Sequence, residues 1–243
     1  MKSIGVIDYG MGNLHSLAKA LERVAPDQRV VVSYDAEELL DCDRLVLPGV
    51  GGVRECMKEL NRLELAQLVV EASKKVPMLG ICLGMQVMLE FSEENGGVPA
   101  LGLFPGSVVR FPEPLQVAVP PDSSEGASRA RGYTAAPAPT LRDAVSPPYT
   151  AERLKVPHMG WNRVQQSQPH PIWAGVPDES WFYFVHSYYA QPKNPAHVLG
   201  TAEYTHRFAA AVARENLVAF QFHPEKSQAL GLTLLANFVN WNP

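Results

Sequence analysis

Through the first half of the chain, short runs that are apolar at every position alternate with longer stretches whose apolar residues recur at helical spacing. Residues 4–9 read as a strand, and Gly10-Met11-Gly12-Asn13 turns the chain into a helix carrying Leu14, Leu17, Ala18 and Leu21 on its apolar side. Val30-Val31-Val32 and Leu45-Val46-Leu47 predict the next strands, and residues 53–75 predict a helical region broken near Asn61. Residues 77–81 form a short buried strand candidate, and residues 83–91 continue as a helix. Continuous apolar strands separated by helices predict an α/β fold with a mostly parallel central sheet covered on both faces.

Beyond Phe104 the pattern changes to strands separated by turns, at residues 107–111, 182–189, 198–204, 208–212 and 217–222, so antiparallel strands are expected to extend the sheet. Arg214-Glu215-Asn216 reads as a hairpin turn, and a terminal helix over residues 228–238 returns Leu232, Leu235 and Phe238 to the core. One domain over residues 1–243 accounts for these elements. Residues 113–149 stand out as rich in Pro, Ala and Ser. Such a stretch loses much entropy on ordering and has little apolar area to recover it, so it reads as a surface insertion.

Composition changes this picture little. With 46% apolar and 19% charged residues and a formal charge of -4, the chain gives no electrostatic reason to expect a nucleic-acid partner. No run approaches the ~20 apolar residues that span a bilayer. The N-terminal residues lack the basic, apolar and small-residue segments of a secretory signal, so the cytoplasm is the expected location. Cys42, Cys56 and Cys82 have neither the number nor the spacing of a disulfide framework or a structural zinc site.

The chemistry centres on Gly80-Ile81-Cys82-Leu83-Gly84, where a cysteine lies between a predicted strand and a predicted helix with glycines two positions away on each side. Glycines permit a sharp bend there, and the following helix directs unpaired N–H groups toward the nucleophile, as in a nucleophile elbow. The competing reading is a buried structural cysteine. A cysteine nucleophile needs a base and a group that orients it. His223 and Glu225, in Gln221-Phe222-His223-Pro224-Glu225 after an apolar strand, supply both if alternation across Pro224 puts them on one side; otherwise they are a solvated pair at a strand end. Gly49-Val50-Gly51-Gly52 offers backbone that can approach a ligand, with its N–H groups and that of Leu83 as oxyanion donors, unless it is an ordinary turn. An ATP phosphate loop is disfavoured because the Lys-Ser/Thr ending is missing.

Asp8-Tyr9-Gly10-Met11-Gly12-Asn13, Leu47-Pro48-Gly49-Val50-Gly51, Gly80-Ile81-Cys82-Leu83-Gly84-Met85-Gln86 and Pro157-His158-Met159-Gly160-Trp161-Asn162 together resemble the class I, triad-type glutamine amidotransferases. Tyr183-Phe184-Val185-His186-Ser187-Tyr188 and Gln221-Phe222-His223-Pro224-Glu225-Lys226-Ser227 extend the resemblance almost to the C-terminus, residues 113–149 being the main departure. The stretch from Pro157 to Asn162 points within that family to the glutaminase subunits of imidazole glycerol phosphate synthase. The resemblance implies a flavodoxin-like amidotransferase fold, a Cys82-His223-Glu225 triad, and an oxyanion hole from Gly49, Val50, Gly51 and Leu83. It also implies glutamine-binding positions at Gln86, Glu94, His186, Ser187 and Tyr188, and partner contacts at Asn13, His158, Met159, Trp161, Asn162 and Tyr183. Neither metal nor cofactor is implied. The implied partner is a (β/α)₈-barrel cyclase subunit that consumes the ammonia, and the implied small-molecule substrate is L-glutamine. The alternatives are pyridoxal phosphate synthase glutaminases, anthranilate synthase components and a non-catalytic binding subunit. The Pro157 to Asn162 stretch and the complete triad weigh against them.

Overall fold

In the computed structural model, which describes residues 2–112 and 155–243, the first apolar run forms β1 (Ser3–Ile7). Asn13 then caps α1 (Leu14–Val24), its side-chain oxygen accepting from the Ser16 N–H. The strand and helix alternation continues with β2 (Arg29–Ser33), α2 (Ala36–Leu40), β3 (Arg44–Leu47), α3 (Val53–Arg62), α4 (Leu65–Ala72), β4 (Met78–Ile81) and α5 (Leu83–Val87). The helical region expected over 53–75 is two helices, parted at Glu64, whose φ of 59° interrupts the helical backbone.

The largest difference from expectation follows α5. The helix stops at Val87, and Leu89–Ser92 is β5, which pairs antiparallel with β6 (Val98–Pro99) and parallel with β7 (Phe104–Arg110). All residues from Ile81 to Leu89 are buried, so the apolar pattern there has no solvent-facing positions to mark a change of period.

After the undescribed segment come β8 (His158–Gln166), β9 (Ser180–His186), β10 (Tyr188–Pro192), β11 (Val198–Glu203), β12 (Arg207–Arg214), β13 (Leu217–Phe220) and α6 (Gln228–Asn240). The strand expected over 182–189 is divided at Ser187: β9 pairs with β8, whereas β10 joins β7 and β12. Arg214 pairs with Leu217 across the expected hairpin turn.

The sheet runs β2-β1-β3-β4-β13 in parallel, the 2-1-3-4-5 order of flavodoxin-like doubly wound folds, and continues antiparallel through β12, β10 and β7. Strands from both halves of the chain interleave, since β13, β12 and β10 lie between β4 and β7. One core packs α1, α6 and the β9 aromatics on one face; the other packs α3, α4 and α5 on the opposite face. Arg44, alone among the residues of β3 in being charged, is buried and donates to the carbonyls of Phe238 and Trp241, where a cation also suits the C-terminal end of α6. Residues 113–149, the expected insertion, lie outside the described residues. Among those described, no helix is long and apolar enough to cross a membrane.

Candidate active site

Three adjacent parallel strands deliver the candidate residues to one edge of the sheet. Register pairs Leu47 with Gly80 and Ile81 with Phe220, so Pro48-Gly49, Cys82 and Gln221-Phe222-His223 leave the C-terminal ends of β3, β4 and β13 side by side. Ligands bind at such ends in open α/β sheets. Cys82 takes φ 53° and ψ -105°, an unfavourable conformation for a non-glycine residue, and its N–H is held by the Phe220 carbonyl at 2.7 Å. The bend needs its glycines: a β-carbon on Gly84 would collide with the Leu47 carbonyl, and one on Gly80 would lie 2.9 Å from the Met88 sulfur.

His223 and Glu225 are brought together by the 3₁₀ turn Pro224–Lys226 rather than by strand alternation, and His223 Nδ1 lies 2.8 Å from Glu225 Oε1. Both side chains are almost fully buried, at 2% and 4% exposure. The backbone is fixed too, since the His223 N–H donates to Tyr183 O and the Ser227 hydroxyl donates to His223 O. Among the described residues His223 Nε2 has no hydrogen-bond partner, and the Cys82 sulfur is its neighbour. Burial alone would lower the imidazole pKa, but the neighbouring Cys82 sulfur and the Glu225 carboxylate outweigh it and raise the pKa to about 9. By contrast, burial pushes the Cys56 thiol up to about 12 and that of Cys42 upward, which suits inert core cysteines.

Cys82 and His223 open onto a cavity of about 310 Å³ that is also lined by Val50, Gly51, Leu83, Gln86, Glu94, Pro157 and residues 185–188. Its size is at the small end for ligand sites and suits an amino acid. Gln86 is buried and donates from Nε2 to Tyr188 O (2.9 Å) and Gln221 Oε1 (3.0 Å). Gln221 Nε2 in turn lies 3.8 Å from Cys82 Sγ, so this residue, quoted in the motif but given no role, belongs to the site. An amide ending an apolar strand is the signal that could have found it. Glu94 faces the cavity and also caps α3, accepting from the Val53 N–H at 2.6 Å.

The expected oxyanion donors do not converge in this structure. The Leu83 N–H donates to Gly49 O at 3.4 Å, so the Gly49 carbonyl occupies its direction. In a planar trans peptide the Val50 N–H points the opposite way from that carbonyl. The preceding carbonyl, Pro48 O, is held at 2.7 Å by the buried Tyr9 hydroxyl.

Of the expected partner contacts, Asn13 and Met159 are exposed and Trp161, Asn162 and Tyr183 partly so, with Trp161 and Tyr183 in edge-to-face contact at 6.2 Å. His158 is different and corrects the expectation: its side chain is buried, at 3% exposure, because alternation along β8 turns it inward while Met159 and Trp161 face out.

The sequence profile of the class-I glutamine amidotransferases matches residues 5–241. Imidazole glycerol phosphate synthase subunit HisH of Methylococcus capsulatus is 52% identical over all of this chain and 98% of its own length. The corresponding subunit HisH of Aromatoleum aromaticum is 46% identical over the whole of both chains, and HisH 1 of Pseudomonas aeruginosa is 48% identical over 100% of this chain and 98% of its own. Solved structures share the fold at low identity. A glutamine amidotransferase of Thermotoga maritima is 16% identical, with a TM-score of 0.54 over 92% of this chain and 76% of that one. PurLQS of Thermotoga maritima is 14% identical, with a TM-score of 0.62 over 98% of each chain. With a cysteine elbow and a buried His-Glu pair facing one cavity, and with these likenesses along its whole length, the chain belongs to the class-I glutamine amidotransferases, in the group of HisH subunits of imidazole glycerol phosphate synthase.

Proposed function

We propose that this single-domain chain is the cytoplasmic glutaminase subunit of imidazole glycerol phosphate synthase, with Cys82 as nucleophile, His223 as base and acid, and Glu225 as the group that orients it. The observation that carries this reading is the juxtaposition of a strained Cys82 with a buried His223 whose Nδ1 is held by Glu225 and whose Nε2, at the same cavity, has no partner among the described residues. Cys82 attacks the side-chain carbonyl of L-glutamine while His223 takes the thiol proton and returns it to the leaving nitrogen, which departs as ammonia. Water then attacks the glutamyl thioester, His223 again handling the proton, and glutamate leaves. Gln86, Glu94, His186, Ser187 and Tyr188 form the glutamine pocket.

The ammonia passes to a (β/α)₈-barrel cyclase subunit, which docks on the side carrying Asn13, Met159, Trp161 and Tyr183 and uses it to make imidazole glycerol phosphate in histidine biosynthesis. Activation by that partner fits the resting site. Turning the Gly49-Val50 peptide over would free the Leu83 N–H and aim the Val50 N–H into the cavity, creating the oxyanion hole. Removing one such donor costs about 10²–10³ in kcat in other acyl-transfer enzymes. Glutamine turnover by the isolated chain should therefore be low and rise by that order when ligand-loaded cyclase is added. Equal turnover in both conditions would contradict the reading.

A further inference from the structure

Behind the glutamine pocket lies a chain of hydrogen bonds that the triad chemistry does not use. Asn162 Nδ2 lies 3.3 Å from His158 Nε2, His158 Nδ1 lies 2.9 Å from His186 Nε2, and His186 Nδ1 lies 2.8 Å from Tyr188 O. The direction of every link follows from its inner end. A carbonyl only accepts, so His186 carries its proton on Nδ1 and accepts at Nε2. His158 must then donate from Nδ1, and its Nε2 accepts from Asn162. The other Asn162 hydrogen goes to Glu203 O at 2.8 Å, and Asn162 Oδ1 accepts from the Arg163 N–H, so no group in the chain is left unmatched. Tyr188 O receives a second bond from Gln86, which continues the network to Gln221 and Cys82.

Both imidazoles are buried, and burial lowers the pKa of each, to about 2 for His158 and about 4 for His186, in keeping with neutral rings and fixed tautomers. The His158 ring is clamped between Tyr204, at 4.1 Å and 26°, and Phe184, at 4.8 Å and 25°. His186 and Tyr188 line the cavity, whereas His158 does not reach it.

We propose that His158 is a positioning residue for glutamine binding: by donating to His186 it fixes the imidazole and the Tyr188 carbonyl that shape the cavity wall and hold Gln86. The inference rests on the glutaminase reading and concerns the pocket, not the thiol. Loss of the donor leaves a buried acceptor unmatched beside the substrate site.

Steady-state glutaminase assays on the full chain in its cyclase complex would compare wild type with His158→Phe, which keeps a stacked ring but has no donor, and His158→Gln, which can both donate and accept. His158→Phe should raise the glutamine KM about tenfold, the order expected for an unmatched buried acceptor, with kcat within about threefold. His158→Gln should recover most of the loss. Unchanged KM in His158→Phe, a fall in kcat alone, or equal damage from both substitutions would overturn the proposal. Should neither variant fold, nitrogen NMR of the wild-type complex decides: Nδ1-protonated rings at both His158 and His186 are expected, and an Nε2-protonated ring at either would refute it. Absence of Cys82-dependent hydrolysis in the wild-type complex would sink the glutaminase reading itself. Normal hydrolysis with an unaffected His158→Phe sinks only the inference.

Discussion

His223 and His186 line the same cavity and are both buried, yet their pKa values are moved in opposite directions. The Cys82 sulfur and the Glu225 carboxylate raise the pKa of His223 to about 9 against the cost of burial. For His186 burial dominates; the bond to Tyr188 O only partly offsets it, and the nearby His223 adds repulsion, leaving a pKa of about 4. Burial is common to the two, so the partners decide: the Cys82 sulfur and the Glu225 carboxylate raise one imidazole, whereas a carbonyl and a second imidazole leave the other lowered, which fits the proposed roles of proton carrier and fixed strut. Environments that push two neighbouring titratable groups apart are the usual means of dividing roles within one site.

A large effect should come from narrowing that difference at His223. Glu225→Gln keeps the shape but removes the negative charge, so kcat for glutamine hydrolysis should fall by roughly 10²–10⁴-fold, and the His223 pKa, followed by NMR, should drop from about 9. A near-normal kcat would mean that Glu225 does not tune the base.

The pH dependence of stability separates the two sites more gently. His158 and His186 have folded pKa values of about 2 and about 4 against 6.5 for the free side chain, so below 6.5 the unfolded chain binds more protons. Their contribution is fully present above 6.5 and is lost as the pH falls toward the folded values. His223 has the opposite sign, its contribution being complete below 6.5 and lost as the pH rises through about 9. Urea melts across this range should show an acid limb that is shallower in His158→Phe and an alkaline limb that is flattened in Glu225→Gln. Limbs identical to wild type in both variants would break the assignment.

A smaller effect is expected on the outward face of β8. Trp161→Ala should weaken cyclase binding roughly tenfold, on the order of a single interface anchor, while leaving the melt and the His158–His186 tautomers unchanged. Calorimetric titration with unaltered affinity would remove Trp161 from the interface.

Much of this was legible in the sequence because the strands that carry the chemistry are short and apolar throughout, and the reactive residues stand in the turns that follow them. Cys82 and His223 could be joined from sequence for that reason, although the joining of His223 to Glu225 by a 3₁₀ turn could not. His158 enters the expected partner contacts through the family resemblance, which takes the Pro157 to Asn162 stretch as one motif and does not separate its two faces. Only the two-residue alternation separates inward His158 and Asn162 from outward Met159 and Trp161. α2 did have a signal, Asp35 three residues before Glu38, and Asp35 accepts from the Glu37 and Glu38 N–H groups. For Arg44 nothing in the local sequence marks its partners, 194 and 197 positions away at the end of α6.

The central claim is that Cys82 does the glutamine chemistry and nothing else that the synthase needs. Synthesis of imidazole glycerol phosphate by the complex carrying Cys82→Ala, measured with glutamine and with ammonium as nitrogen source, tests it most directly. Glutamine-dependent synthesis should vanish, while ammonia-dependent synthesis stays close to wild type. Equal loss with both nitrogen sources, or retention of glutamine-dependent synthesis, would contradict it.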